Sequence, residues 1–342
     1  MARCALPAAL AACVTTYEDV PIDVAARAAT PVAVAQTIPF PVSEHDARDR
    51  ALLQFYSGVL DRMQGAARDR DGAGLEGLLE AYDRSDVPAW LRGVLDGYRA
   101  LAKGMRFERH AKSAGAVELV LDEHGAEPPL GASTRFVLRI PAAPQPFRLG
   151  GSAEADPTGF LVALSVEDTF VDGSTSSSRT QDFVWLPAPF DLGGSADLEV
   201  PIGVDLPAAA AVKRVVNVRV DLMPGYVQVD GVRAPVQRTA VGATVVTQWP
   251  AGHREIEKAP LAALKAALQI GDAAHYPHIY VAAEFLRGAE RDEAVPLLID
   301  VVRFGREDQA RLATVALRIV TDTKLPIGDR QSWLAWWQSQ PR

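Results

Sequence analysis

Asp69, Asp71 and Glu80 stand at the first, third and twelfth positions of the stretch DRDGAGLEGLLE, with Gly74 at the sixth. Carboxylates at that spacing around a glycine suit a hard cation such as calcium, which draws its ligands from oxygen. The fifth position is Ala73 and the ninth Gly77, so one side-chain ligand is missing and a water-mediated ligand has no side chain to hold it. Glu76 fills the eighth position, where such loops carry an apolar residue. The stretch therefore reads as a glycine-loosened turn with an acidic start to the next helix, and Asp69, Asp71 and Glu80 are the metal candidates it offers.

In spacing alone this stretch partly resembles the calcium loop of an EF-hand. His275 and His278 flank Tyr276-Pro277, and Glu284 follows on the same predicted helix. Zinc generally takes three or four ligands, and the two cysteines, Cys4 and Cys13, are far away at the N-terminus. His45, His110, His124 and His253 are scattered without metal spacing. A helix-start role for His275 and a packing role for His278 are expected instead, with no resident metal or cofactor.

Nucleophilic chemistry is suggested by PFRLGGSAE, from Pro146 to Glu154, and PFDLGGSAD, from Pro189 to Asp197, which share seven of nine positions at an offset of 43 residues. Ser152 and Ser195 lack the spacing of a nucleophile elbow, and a β pattern follows each where the elbow needs a helix. Phosphate binding fails for a similar reason, since neither a Gly-Lys-Ser nor a helix N-terminus follows. The pair reads as one corner of a β fold used twice, a relic of internal duplication. Leu149 and Leu192 would turn inward, and the paired glycines would make the turns. The Ser-rich stretch from Asp168 to Asp182 reads as a long solvated connection between strands. No catalytic residue is expected.

The elements that would carry these groups fall into five parts. Residues 1–13 read as a signal: Arg3 is basic, Cys4 to Ala12 is a short apolar run, and Leu10-Ala11-Ala12-Cys13 closes it with small residues before a cysteine. That arrangement resembles the lipobox of bacterial lipoproteins. The resemblance implies that the preceding peptide is removed and that Cys13 is the site of lipidation, placing the protein at the cell envelope; the alternative is a cytoplasmic chain with an Ala-rich start. Residues 14–42, rich in Ala, Val, Thr and Pro, read as a tether.

Residues 43–112 read as a helical segment. Ser43 to Asp46 opens a helix with Leu52, Phe55, Val59 and Met63 at helical spacing, a second helix runs near Leu75 to Tyr82, and a third after Pro88 carries Trp90, Leu91, Val94, Leu95, Tyr98, Leu101 and Met105. Residues 113–250 read as a β-sandwich. Eight runs alternate with period two: Val117–Leu121, Arg135–Ile140, Gly159–Val166, Gln181–Leu186, Ala196–Val204, Val212–Leu222, Tyr226–Val229 and Val241–Gln248. Asp230-Gly231 signals a type I′ hairpin.

Residues 251–342 turn helical again. Ala294 to Val302 followed by Asp308 to Leu317 resembles one HEAT repeat, with Pro260 to Leu268 and Ile279 to Leu286 as the preceding unit and Pro260 and Pro296 lying 36 residues apart. Asp329 would cap a last helix bearing Trp333, Trp336 and Trp337. The expected fold class is thus multidomain α and β: N-terminal helices, a central antiparallel β-sandwich and C-terminal HEAT-like helices.

With 43 acidic against 35 basic side chains and no basic stripe, nucleic acid is not an expected partner. The expected function is non-catalytic binding or scaffolding of other envelope proteins through the sandwich or the helices, with membrane contact only through the lipid. The alternative is an envelope hydrolase whose active site is assembled from residues distant in sequence.

Overall fold

The computed structural model describes residues 47–82, 87, 89–121, 127–204, 206 and 210–340. Cys13, the expected tether, Ser43 to Asp46, Pro88, His45 and His124 lie outside the described residues.

Among the described residues three helices come first: α1 (Ala47–Arg68), α2 (Gly72–Tyr82) and α3 (Ala89–Ala114). Tyr56, Val59 and Met63 of α1 recur three and four residues apart and meet Leu75 and Leu79 of α2 and Leu91, Leu95 and Met105 of α3 in one apolar cluster. The expected stripe included Phe55, which is 53% exposed. Its neighbour Tyr56 takes the inward position, and the Phe55 ring stands edge-on to Tyr56 and Tyr82. Helix α3 serves two regions. Its residues as far as Met105 complete this cluster, while Phe107 and Ala111 near its C-terminal end belong to the β core.

The strands that follow are β1 (Ala116–Leu119), β2 (Thr134–Ile140), β3 (Phe147–Leu149), β4 (Gly159–Thr169), β5 (Thr175–Trp185), β6 (Phe190–Leu192), β7 (Leu198–Val204), β8 (Lys213–Leu222), β9 (Gly225–Val229), β10 (Val232–Val236) and β11 (Thr239–Gln248). They form three antiparallel sheets, ordered β1-β2-β7, β10-β9-β3-β6 and β11-β8-β4-β5, around a shared sandwich-like core. Asp230 and Gly231 both have positive φ, 50° and 73°, as a type I′ turn between β9 and β10 demands.

Each duplicated stretch is a three-residue strand followed by a turn at its glycines, as expected, and the two strands pair with each other. Phe147 lies opposite Leu192, Arg148 opposite Asp191, and Leu149 opposite Phe190. Leu149 and Leu192 are fully buried. The pseudo-symmetry extends outward: β2-β3-β4 and β5-β6-β7 are intertwined, with β2 on β7, β3 on β6 and β4 on β5. Glycine in each copy admits the other copy's lead-in. A Cβ on Gly151 would come within 2.7 Å of the Ala188-Pro189 backbone, and one on Gly193 within 2.9 Å of Pro146. The Ser-rich stretch is no loop. Residues 175–185 form a strand in unbroken register with β4, joined to it by a tight turn at residues 170–174.

The C-terminal helices are α4 (His253–Lys258), α5 (Pro260–Ile270), a 3₁₀ turn (Ala273–His275), α6 (Tyr276–Phe285), α7 (Ala289–Phe304), α8 (Glu307–Thr321) and α9 (Arg330–Ser339). Helix α5 packs on α6 and α7 on α8, while α6 meets α8 and α5 meets α7, so two helical hairpins stack. Pro260 and Pro296 are not equivalent in them. Pro260 opens α5, whereas α7 begins seven residues before Pro296, its first turn favoured by Glu290 and Asp292, and holds that proline in its interior. Asp329 caps α9 through the Ser332 N–H, and Trp333 is fully buried with its indole N–H on the Pro326 carbonyl at 3.0 Å.

Two seams join the helices to the sheets. At the first, Gly104 of α3 lies so close to β10 that a Cβ there would be 1.9 Å from the Pro235 oxygen. Buried Glu108 pairs with Arg70 and accepts the Gln237 N–H at 2.7 Å. At the second, Tyr280 and Val315 enclose Val212 beside Trp249 and Ile327. There Glu284 accepts from Lys213 at 2.8 Å and from the Tyr280 hydroxyl at 3.0 Å, and the Lys213 ammonium stands over the Trp249 ring.

Candidate functional site

The sequence-derived candidates do not come together. Asp71 is occupied in capping α2, its carboxylate accepting the Gly74 N–H at 2.9 Å. Asp69 lies in the preceding turn and Glu80 on the exposed face of α2, two turns further along. His275 starts α6 as expected, with its ring nitrogen 2.6 Å from Asp272. His278 is exposed instead of packed, its ring edge-on to that of His275. Glu284 turns away from both into the second seam. Ser152 and Ser195 are exposed beside their glycines. Among the described residues no three His, Cys, Asp or Glu side chains gather as a metal site.

A concave surface does form, where four helix ends converge. Leu268 and Gly271 at the end of α5, Tyr276 and Ile279 of α6, Asp300, Val301 and Phe304 of α7, and Gln309 of α8 line a groove of about 320 Å³. Its walls are mainly apolar. Phe304 is 78% exposed at its rim, and Ile270, next to Gly271, is 55% exposed. Exposed side chains of that size cost solvation free energy unless something covers them.

The rim is held by polar contacts. Gly271 ends α5 in the left-handed region, φ 65°, and its carbonyl accepts from Gln309 Nε2 at 2.8 Å and from Arg306 at 3.2 Å. The Gln309 Oε1 accepts the Arg306 N–H, closing a capping box at the start of α8. Tyr276 donates its hydroxyl to Asp308. That hydrogen bond holds the Asp308 carboxyl below the usual carboxylate range, while burial, then Asp308, pushes the Tyr276 phenol up. These groups fix the groove's shape; they do not converge on a point within it where a substrate atom could react.

No family model matches the chain, and no curated protein matches it. Among solved structures, the crystal structure of Spo0M, a sporulation control protein from Bacillus subtilis, is similar at 15% identity and a TM-score of 0.23, over 46% of this chain and 56% of that one. This chain thus spans little more than half of that protein's length, and a superposition so loose fixes neither fold nor function.

Proposed function

We propose that this protein is a non-catalytic protein-binding module, held at the cell envelope by lipid on Cys13, that receives a partner protein in the groove between α5, α6, α7 and α8. The observation that carries the reading is the mainly apolar groove with Phe304 at its rim. Apolar walls with a polar rim suit an amphipathic segment of another protein, whose affinity would come from burying side chains such as Phe304 and Ile270. The anchor rests on the Leu10-Ala11-Ala12-Cys13 resemblance.

In-cell photo-crosslinking tests both parts. A photoreactive residue at position 270 should yield a discrete adduct with one protein, and Phe304→Asp, at an exposed site that leaves the fold intact, should abolish it. Cys13→Ser should release the protein from the membrane fraction. An adduct that survives Phe304→Asp would disprove groove binding, and unchanged membrane association would disprove the anchor.

A further inference from the structure

Among the described residues six strands bound the three sheets, and an open strand edge is a template for pairing with another chain unless something blunts it. Five of the six are blunted. Strand β1 has four residues and β6 three. Strand β7 carries Pro201, and β10 carries Pro235 and lies under α3. Strand β11 has an irregularity between Ala240 and Gly242 and is flanked by β1 and α3.

Among the described residues strand β5 has none of these devices, and one outward N–H, that of Phe183, is met by the Asp182 carboxylate at 2.7 Å. It runs eleven residues, TSSSRTQDFVW, in unbroken register with β4, without Pro, Gly or Lys. Every side chain but Val184 is exposed. Ser178 and Asp182 lie opposite Val166 and Val162 of β4, on the face that β4 turns to the core, yet both are exposed, so the strand overhangs the sandwich. Along its outer edge every second residue turns its N–H and C=O away from β4.

We propose that β5 pairs antiparallel with β5 of a second copy of this chain, joining two four-stranded sheets into one of eight strands. The edge is complementary to itself. A twofold axis perpendicular to a continuous sheet keeps each residue on the same face in both copies, so odd positions meet odd and even meet even. Pairing centred on Arg179 or on Asp182 sets like charges directly opposite and is excluded.

Pairing centred on Thr180 uses all eleven residues and gives each charged side chain a hydrogen-bonding partner. Arg179 meets Gln181 of the second copy, Asp182 meets Ser178, and Thr180 meets its own mate. Phe183 and Trp185, each about two-fifths exposed, gain neighbours across the axis. This assembly is separate from the groove and stands whether or not the groove binds a partner.

Sedimentation of the whole chain over a range of concentrations tests it, with Thr180→Lys as the variant because that exposed position tolerates a long polar side chain. The wild type should form a dimer, and two lysines facing each other at the axis should raise the dissociation constant about tenfold or more. In a Cys4→Ser, Cys13→Ser background, Thr180→Cys should form a disulfide-linked dimer under mild oxidation, while Ser177→Cys, whose mates lie far apart in this register, should not. A wild-type monomer across the range, a dimer indifferent to Thr180→Lys, or linkage at 177 in place of 180 would each overturn the proposal. So would a monomer that instead pairs β5 with a different protein.

Discussion

The two seams between helices and sheets are built in opposite ways. At the N-terminal seam, α3 presses its backbone onto β10 through Gly104, and a carboxylate, Glu108, ties the turn before α2 to Gln237. At the C-terminal seam, large side chains interlock: Tyr280, Trp249 and Val315 enclose Val212, with Lys213 and Glu284 paired beside them. A backbone seam leaves no room for growth, because main chain cannot rotate away as a side chain can. An interlocked seam tolerates changes of size but depends on polar partners that must all be present.

The difference predicts unequal responses. Gly104→Ala should be the most damaging. Alanine would add about 1 kcal/mol of helix propensity, but a Cβ 1.9 Å from the Pro235 oxygen must drive α3 off the sheet. A net loss of about 2 kcal/mol or more is expected in urea titrations, with hydrogen exchange accelerated in α3 and β10. Unchanged exchange there would mean that the seam gives way easily.

Glu284→Ala should cost less, about 1–2 kcal/mol, by leaving partly buried Lys213 and the Tyr280 hydroxyl without their acceptor. Its signature is earlier proteolysis within the C-terminal helices while α1–α3 stay protected.

The smallest effect concerns alkaline pH. Burial, then Glu284, pushes the Tyr280 phenol well above its ordinary value. The folded protein therefore holds that proton more tightly than the unfolded chain, whose tyrosine ionises near pH 10. The stability linked to Tyr280 is fully present below that pH and is lost as pH rises towards the folded value. Tyr280→Phe should flatten the fall in melting temperature above about pH 10; an unaltered profile would remove Tyr280 from the seam's electrostatics.

Much of the fold was legible where one side chain in two met the core. The alternation in Thr134–Ile140 and Leu198–Val204 is the burial pattern itself. Strand β5 is legible only from Gln181 onward, because it overhangs the core: with both faces polar, Thr175 to Thr180 carries no period-two signal and its composition matches a loop. Strands β3 and β6 are three residues each, too short for a period; their likeness is plain in the sequence, but it reads as one corner used twice and does not reveal that the two pair. The groove was hidden for another reason. Leu268, Ile279, Val301 and Phe304 each sit at ordinary helical spacing, and only the stacking of two hairpins reveals that the ends of four helices leave a space between them. Asp69, Asp71 and Glu80 illustrate the reverse: loop-like spacing in the sequence, but a helix that begins at Gly72 carries Glu80 away from the turn.

The intertwined halves also constrain how this chain is made. As it leaves the ribosome, β2, β3 and β4 emerge before their partners β7, β6 and β5 exist, so the first half exposes apolar faces until roughly thirty-five further residues arrive, a delay of a few seconds at ordinary translation rates of about 5–20 residues per second. In that interval Phe147, Leu149 and Phe160 have no β5–β7 layer to shelter them. A chain truncated after β4 would be left with open sheet edges where β5, β6 and β7 belong.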